Sequence, residues 1–190
     1  MRKILATAFI AVFLTGCSFT STTTQPEEKD STSTVPAVTE TKPVSANESV
    51  VTGSKVKYSL AYDKDKWVIE APDDTSDAEY SFAHVDGDLW AMIIPERLTI
   101  SLDSLKGIAL DNAKSIAPDA KITFEETRKV NGVDVLAMQI KGTTSGIPFI
   151  YYGYYYTGKL TSIQVVTFTS QELFPQYEKD LTNFLNGLQV

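Results

Sequence analysis

The chain has 190 residues, with 24 acidic against 17 basic side chains, one histidine and one cysteine, and a formal charge of −7. That balance repels phosphates and anionic headgroups, which argues against nucleic acid and against direct headgroup binding as surface partners. A single cysteine rules out a disulfide within one molecule, and one His beside one Cys falls short of the three or four ligands of a usual zinc site.

Arg2 and Lys3 open the chain, followed by an apolar run from Ile4 to Leu14 that ends in Leu14-Thr15-Gly16-Cys17. The run is too short to span a bilayer and has the proportions of a secretory signal. The tetrad resembles a bacterial lipobox, which implies a signal peptide over 1–16 and lipid attachment at Cys17. Cleavage would remove Arg2 and Lys3 and no acidic residue, taking the net charge from −7 to −9. One acyl chain binds membranes only marginally, whereas two or three on a lipoprotein cysteine hold stably. The expected partner is therefore membrane lipid through acylated Cys17. Ser18 stands where many Gram-negative lipoproteins retained at the inner membrane carry Asp. In a host with two membranes the expected location is the periplasmic face of the outer one.

Residues 17–54 are rich in Ser, Thr, Pro, Glu and Lys, with no aromatic after Phe19. Such a segment buries too little apolar surface to offset its ordering entropy, so it reads as a disordered tether. Residues 55–190 are one domain's worth of chain.

Within the domain, Val56 to Tyr62 alternates as a strand, Asp63 to Lys66 is a turn, and Trp67-Val68-Ile69 begins a second strand that Pro72 ends. Asp73 to Asp77 is a loop. Glu79 to Val85 and Leu89 to Ile94 form a hairpin about Asp86-Gly87-Asp88, a turn expected to need positive φ at both central positions. Ser101 caps a helix running to Ala117, with Asp103 favouring its first turn and Pro118 stopping it. At helical spacing Leu102, Leu105, Ala109, Ala113 and Ile116 form its apolar stripe.

Lys121 to Lys129 reads as a strand with Ile122 and Phe124 inward, and Asn131-Gly132 turns it into Val133 to Ile140. That return strand is apolar on both faces, with Val133, Val135 and Ala137 on one and Leu136, Met138 and Ile140 on the other, so it belongs at the centre of a covered sheet. Phe149 to Tyr156 is similar, and Thr157-Gly158-Lys159 leads into Leu160 to Thr169. A last helix carries Phe174, Tyr177, Leu181, Phe184, Leu185 and Leu188 on one stripe. Its start is open between a capping box, Thr169-x-x-Glu172, and Pro175 in the first turn.

Short turns imply an antiparallel sheet with the middle helix as the long crossover. Two amphipathic helices on two-faced strands imply an α+β domain, an α-β-α sandwich with a largely antiparallel sheet. The element order, with Tyr58-Ser59-Leu60-x-Tyr62-x4-Trp67 and Phe174-x2-Tyr177-x7-Leu185-x2-Leu188, resembles the PsbP-like fold. That fold is shared by the photosystem II extrinsic protein, the Ran-binding Mog protein and DcrB-type lipoproteins. The resemblance implies a non-catalytic binding or assembly module and carries no catalytic residues over.

The side chains agree with that. His84 is the only histidine, and its expected role is structural. No Gly-x-Ser-x-Gly or phosphate-cradling loop occurs. Asp73, Asp74, Asp77 and Glu79 are the densest acidic cluster, but the loop lacks the glycine and spacing of a calcium loop, so solvated carboxylates are expected. The distinctive feature is Tyr151-Tyr152-Gly153-Tyr154-Tyr155-Tyr156. Tyr152, Tyr154 and Tyr156 share one strand face, and Tyr151 and Tyr155 the other. The first row reads either as core packing or as a binding face, and Gly153 adds weight to the second because a strand glycine marks close approach. The expectation is a lipid-anchored envelope protein without cofactor or metal that binds another envelope protein. The alternatives are a small-ligand carrier with a pocket between helix and sheet and, last, a hydrolase using His84 or the acidic cluster.

Overall fold

A computed structural model describes residues 38–40, 47–71 and 76–190. The expected signal peptide, Cys17, Asp73 and Asp74 lie outside the described residues. In chain order the elements are β1 (Val38–Glu40), β2 (Glu48–Thr52), β3 (Ser59–Asp63), β4 (Trp67–Glu70), β5 (Tyr80–His84), β6 (Trp90–Glu96), α1 (Leu102–Ile116), β7 (Lys121–Val130), β8 (Val133–Thr144), β9 (Ile147–Gly158), β10 (Thr161–Ser170), α2 (Phe174–Leu185) and β11 (Leu188–Gln189).

Strands β1-β7-β8-β9-β10-β6-β5-β4 form one sheet in that order, and β11-β3-β2 form a second. Every pairing is antiparallel except β1 with β7. Strands β6 and β7 run in the same direction, so a helix has to carry the chain between them. Helix α1 does this, crossing the face of the sheet, and the meander β7 to β10 returns until β10 pairs with β6.

The central strands divide their side chains as their two apolar faces require. Leu136, Met138, Ile140, Phe149 and Tyr155 pack beneath α1 with Leu105, Ala109 and Ala113. Val135, Ala137, Ile150, Tyr152 and Tyr154 pack on the other face with Phe174, Leu181, Phe184 and Leu185 of α2. The small sheet adds Val51, Leu60 and Leu188 to that second core. The result is the expected α-β-α sandwich, with three strands set beside α2.

Both helices start for local reasons. The Ser101 hydroxyl accepts the Ser104 N–H at 3.1 Å, and Asp103 lies in the first turn of α1. Helix α2 has Pro in its first turn and no side-chain cap on its N-cap residue, Leu173. Thr169 is not the cap, because its hydroxyl donates to the Asp88 carbonyl at 2.8 Å.

Four expectations need correction. Strands β3 and β4 are not a hairpin: the turn after Asp63 passes the chain from the small sheet to the large one. Of the stretch expected as a tether, β2 pairs with β3 and β1 with β7; Val51 is the one buried side chain of β2, and Val50 beside it is exposed. In the Asp86-Gly87 turn only Gly87 has positive φ, at 82°. In β7 a register shift between Ile122 and Phe124 sends Ile122 to the α1 side and Phe124 to the α2 side, whereas strict alternation put them together.

Phe184 ties α2 to the sheet, with ring centroids 4.5 Å from Trp67 and 5.0 Å from Phe82. Phe184→Ala is expected to lower unfolding free energy by about 3–5 kcal/mol, read as a fall in urea midpoint without change of slope.

Candidate functional site

The tyrosine row on the α2 side is largely core. Tyr152 and Tyr154 are buried, and only Tyr156 is partly exposed. Their hydroxyls are engaged: an Arg128 guanidinium nitrogen donates to Tyr152 at 2.8 Å and to Tyr154 at 3.2 Å, and Tyr154 donates to the Asn186 side chain at 2.8 Å. Burial works against the Arg128 charge, but its hydrogen bonds to Tyr154 and Glu126 outweigh that and hold it cationic. The Tyr152 ring meets Phe174 of α2 edge-on. Strand alternation places these rings on one face, and α2 covers that face.

His84 is buried between Trp67 and Tyr177, with ring centroids at 5.1 and 5.7 Å. Its Nδ1 accepts the Asp86 N–H at 3.3 Å, and its Nε2 has no hydrogen-bond partner among the described residues. This is a packed ring and not a group in reach of substrate. Among the described residues no three His, Cys, Asp or Glu side chains gather as metal ligands. Glu79, from the acidic cluster, is already engaged by the Ser54 hydroxyl and N–H and by the Tyr58 hydroxyl.

The other face of β9 is different. Under α1 lies a cavity of about 120 Å³. Met92, Ile140, Tyr151, Tyr155, Gln164 and Val166 line its sheet side, and Ala109, Ala113 and Ile116 its helix side. Asp77, Asn112 and Ser115 also line it, and their exposure marks the mouth.

The register explains why space is left. Ile94, Gln164, Tyr155 and Leu136 stand side by side across β6, β10, β9 and β8, and the next row is Met92, Val166, Gly153 and Met138. Gly153 leaves one place in that row without a side chain. A Cβ there would lie 2.9 Å from the Val165 carbonyl oxygen and 3.3 Å from the Tyr155 hydroxyl, so the Tyr155 ring leans over this gap. Above, Ala109 and Ala113 present methyl groups where larger residues would fill the space.

Besides the half-buried Tyr151, two fully buried polar side chains line the sheet side of this cavity. Tyr155 is 2% and Gln164 5% exposed, and neither side chain hydrogen-bonds to any described residue. Burial, aided by nearby Tyr151, pushes the Tyr155 phenol well above its ordinary range, so it stays a protonated donor. Sequence reasoning placed Tyr155 on this face but did not single out Gln164. Its signal was a lone amide amid the apolar residues of β10.

Comparisons with known proteins bear on the anchor and the fold. Residues 1–18 match the pattern of a prokaryotic membrane lipoprotein lipid attachment site. The solution structure of cyanobacterial PsbP (CyanoP) from Synechocystis superposes with a TM-score of 0.59 at 11% identity, covering 77% of this chain and 94% of that one. The chain carries a lipoprotein attachment site and a PsbP-like fold. The crystal structure of LpqN, involved in cell envelope biogenesis of Mycobacterium tuberculosis, superposes with a TM-score of 0.52 at 10% identity, covering 75% of this chain and 89% of that one. At these identities the likeness is one of PsbP-like fold. Comparison of the sequence with curated proteins gives no match.

The Glu79 network gives the PsbP-like domain an acid-sensitive clasp between its two sheets. Burial raises the Glu79 pKa, but hydrogen bonds from Ser54, Tyr58 and Lys55 outweigh it and leave the carboxyl below its ordinary 4.5. A carboxyl with a lowered folded-state pKa stabilises above its unfolded value and loses that contribution as pH falls through the folded one. Urea unfolding of the wild type is therefore expected to lose stability below about pH 4.5, and Glu79→Gln to lose it less steeply over the same window.

Proposed function

We propose that this chain is a non-catalytic, lipid-anchored protein of the bacterial cell envelope that acts by binding a small molecule between α1 and the sheet. The observation that carries the reading is the cavity, with Tyr155 and Gln164 buried in its wall and unpaired to any described residue. An apolar pocket with a few convergent polar groups is the usual form of a small-ligand site. Neither polar group has the nucleophile-base-orienter geometry of a catalytic set.

The attachment site supports anchoring at Cys17, and Ser18 supports the periplasmic face of the outer membrane where the host has two membranes. LpqN, a protein of similar fold, is involved in cell envelope biogenesis, which supports this setting. An assembly module gripping an envelope protein through Tyr152, Tyr154 and Tyr156 is less favoured, because α2 and Arg128 occupy the first two.

Two outcomes are expected. Wild-type protein should fractionate with membranes and Cys17→Ala should not, while Ser18→Asp should move it from the outer to the inner membrane in a Gram-negative host. A thermal-shift screen of small amphiphiles against the lipoprotein in nanodiscs should give hits that Ala113→Leu, folded by circular dichroism, abolishes. Hits that survive Ala113→Leu unchanged would place binding elsewhere and overturn the reading.

A further inference from the structure

The cavity wall also restricts the chemistry of what it holds, and this inference rests on the reading of that cavity as the binding site. An apolar protein cavity of about 150 Å³ takes up benzene. At about 120 Å³, this one suits a single ring or a short branched chain.

Charge narrows the class further. The described lining includes no lysine, arginine or histidine to pair an anion. Its one carboxylate, Asp77, stands exposed at the mouth of a net acidic protein, so the field there repels anions. A cation drawn to Asp77 would still have to leave water to reach the sheet, where the polar groups are an amide and two phenols, and an unpaired buried charge is costly.

The polar pair defines the complement. Tyr155 and Gln164 are direct cross-strand partners on one face, and both line the cavity. The protonated phenol donates. The Gln164 amide both donates and accepts. A group that satisfies both is uncharged and carries an acceptor beside a donor.

We infer that the cavity beneath α1 binds an uncharged, ring-sized molecule bearing a carboxamide or a similar donor-acceptor group, seated on Tyr155 and Gln164. Gly153 makes room for the Tyr155 ring that forms part of the wall, and the methyl groups of Ala109 and Ala113 close over the ligand.

The test is isothermal titration of the lipidated full chain in nanodiscs, with empty nanodiscs as the blank. The probes are benzamide, benzoate and benzamidinium, which share one shape and differ in charge, with toluene as the apolar control. Benzamide is expected to bind at least tenfold more tightly than either ion. Gln164→Leu and Tyr155→Phe, each checked for folding by its thermal transition, should weaken benzamide about tenfold and leave toluene unchanged. If toluene binds as well as benzamide and neither substitution matters, the ligand class is wrong while the cavity remains a site. If Ala113→Leu alters no probe and none binds, the cavity reading fails with it.

Discussion

The structure follows from the two apolar faces of the strands at the middle of the sheet. In β8, Val135 and Ala137 point one way and Leu136, Met138 and Ile140 the other, and β9 repeats the pattern with Tyr152 and Tyr154 against Tyr151 and Tyr155. Neither face tolerates water, so each needs a cover. Helix α2 and the small sheet supply one and α1 the other. The parallel relation of β6 and β7 requires a crossover of the right length for α1 to be that cover. Topology and burial thus ask for the same helix.

The two covers are not equivalent. On the α2 side large rings interlock: Phe184 lies against Trp67 and Phe82, Phe174 meets Tyr152, and the polar tips of Tyr152 and Tyr154 close on Arg128 and Asn186. On the α1 side the helix presents Ala109 and Ala113 to a sheet that lacks a side chain at Gly153. Well-filled interiors are the norm, and the space left beside a phenol and an amide departs from it. Departures of this kind from local consistency tend to fall at functional sites.

Much of this was legible in the residues. Ser101, Pro118 and the 3.6-residue stripe bounded α1, and Asn131-Gly132 marked its hairpin; both turn residues have positive φ, 47° and 90°. Alternation assigned the faces of β8 and β9 correctly. It could not say which tyrosine row would be locked away, because two-faced strands look alike from either side. The small sheet escaped notice because β11 is two residues long and β2 holds a single buried side chain, too little for periodicity to register. The bulge in β7 turns on one extra residue. The cavity is a matter of missing volume, which only the register of four strands reveals.

The central claim is that small molecules bind under α1 and not elsewhere. The most direct measurement is intermolecular methyl NOEs from benzamide to the lipoprotein in nanodiscs with labelled Ala, Ile, Leu, Met and Val methyl groups. The account predicts contacts with Met92, Ala109, Ala113, Ile140 and Val166, and none with Leu181, Leu185 or Ile163 on the opposite face. Contacts confined to that opposite face, or to surface methyls such as those of Val68 and Val85, would contradict it.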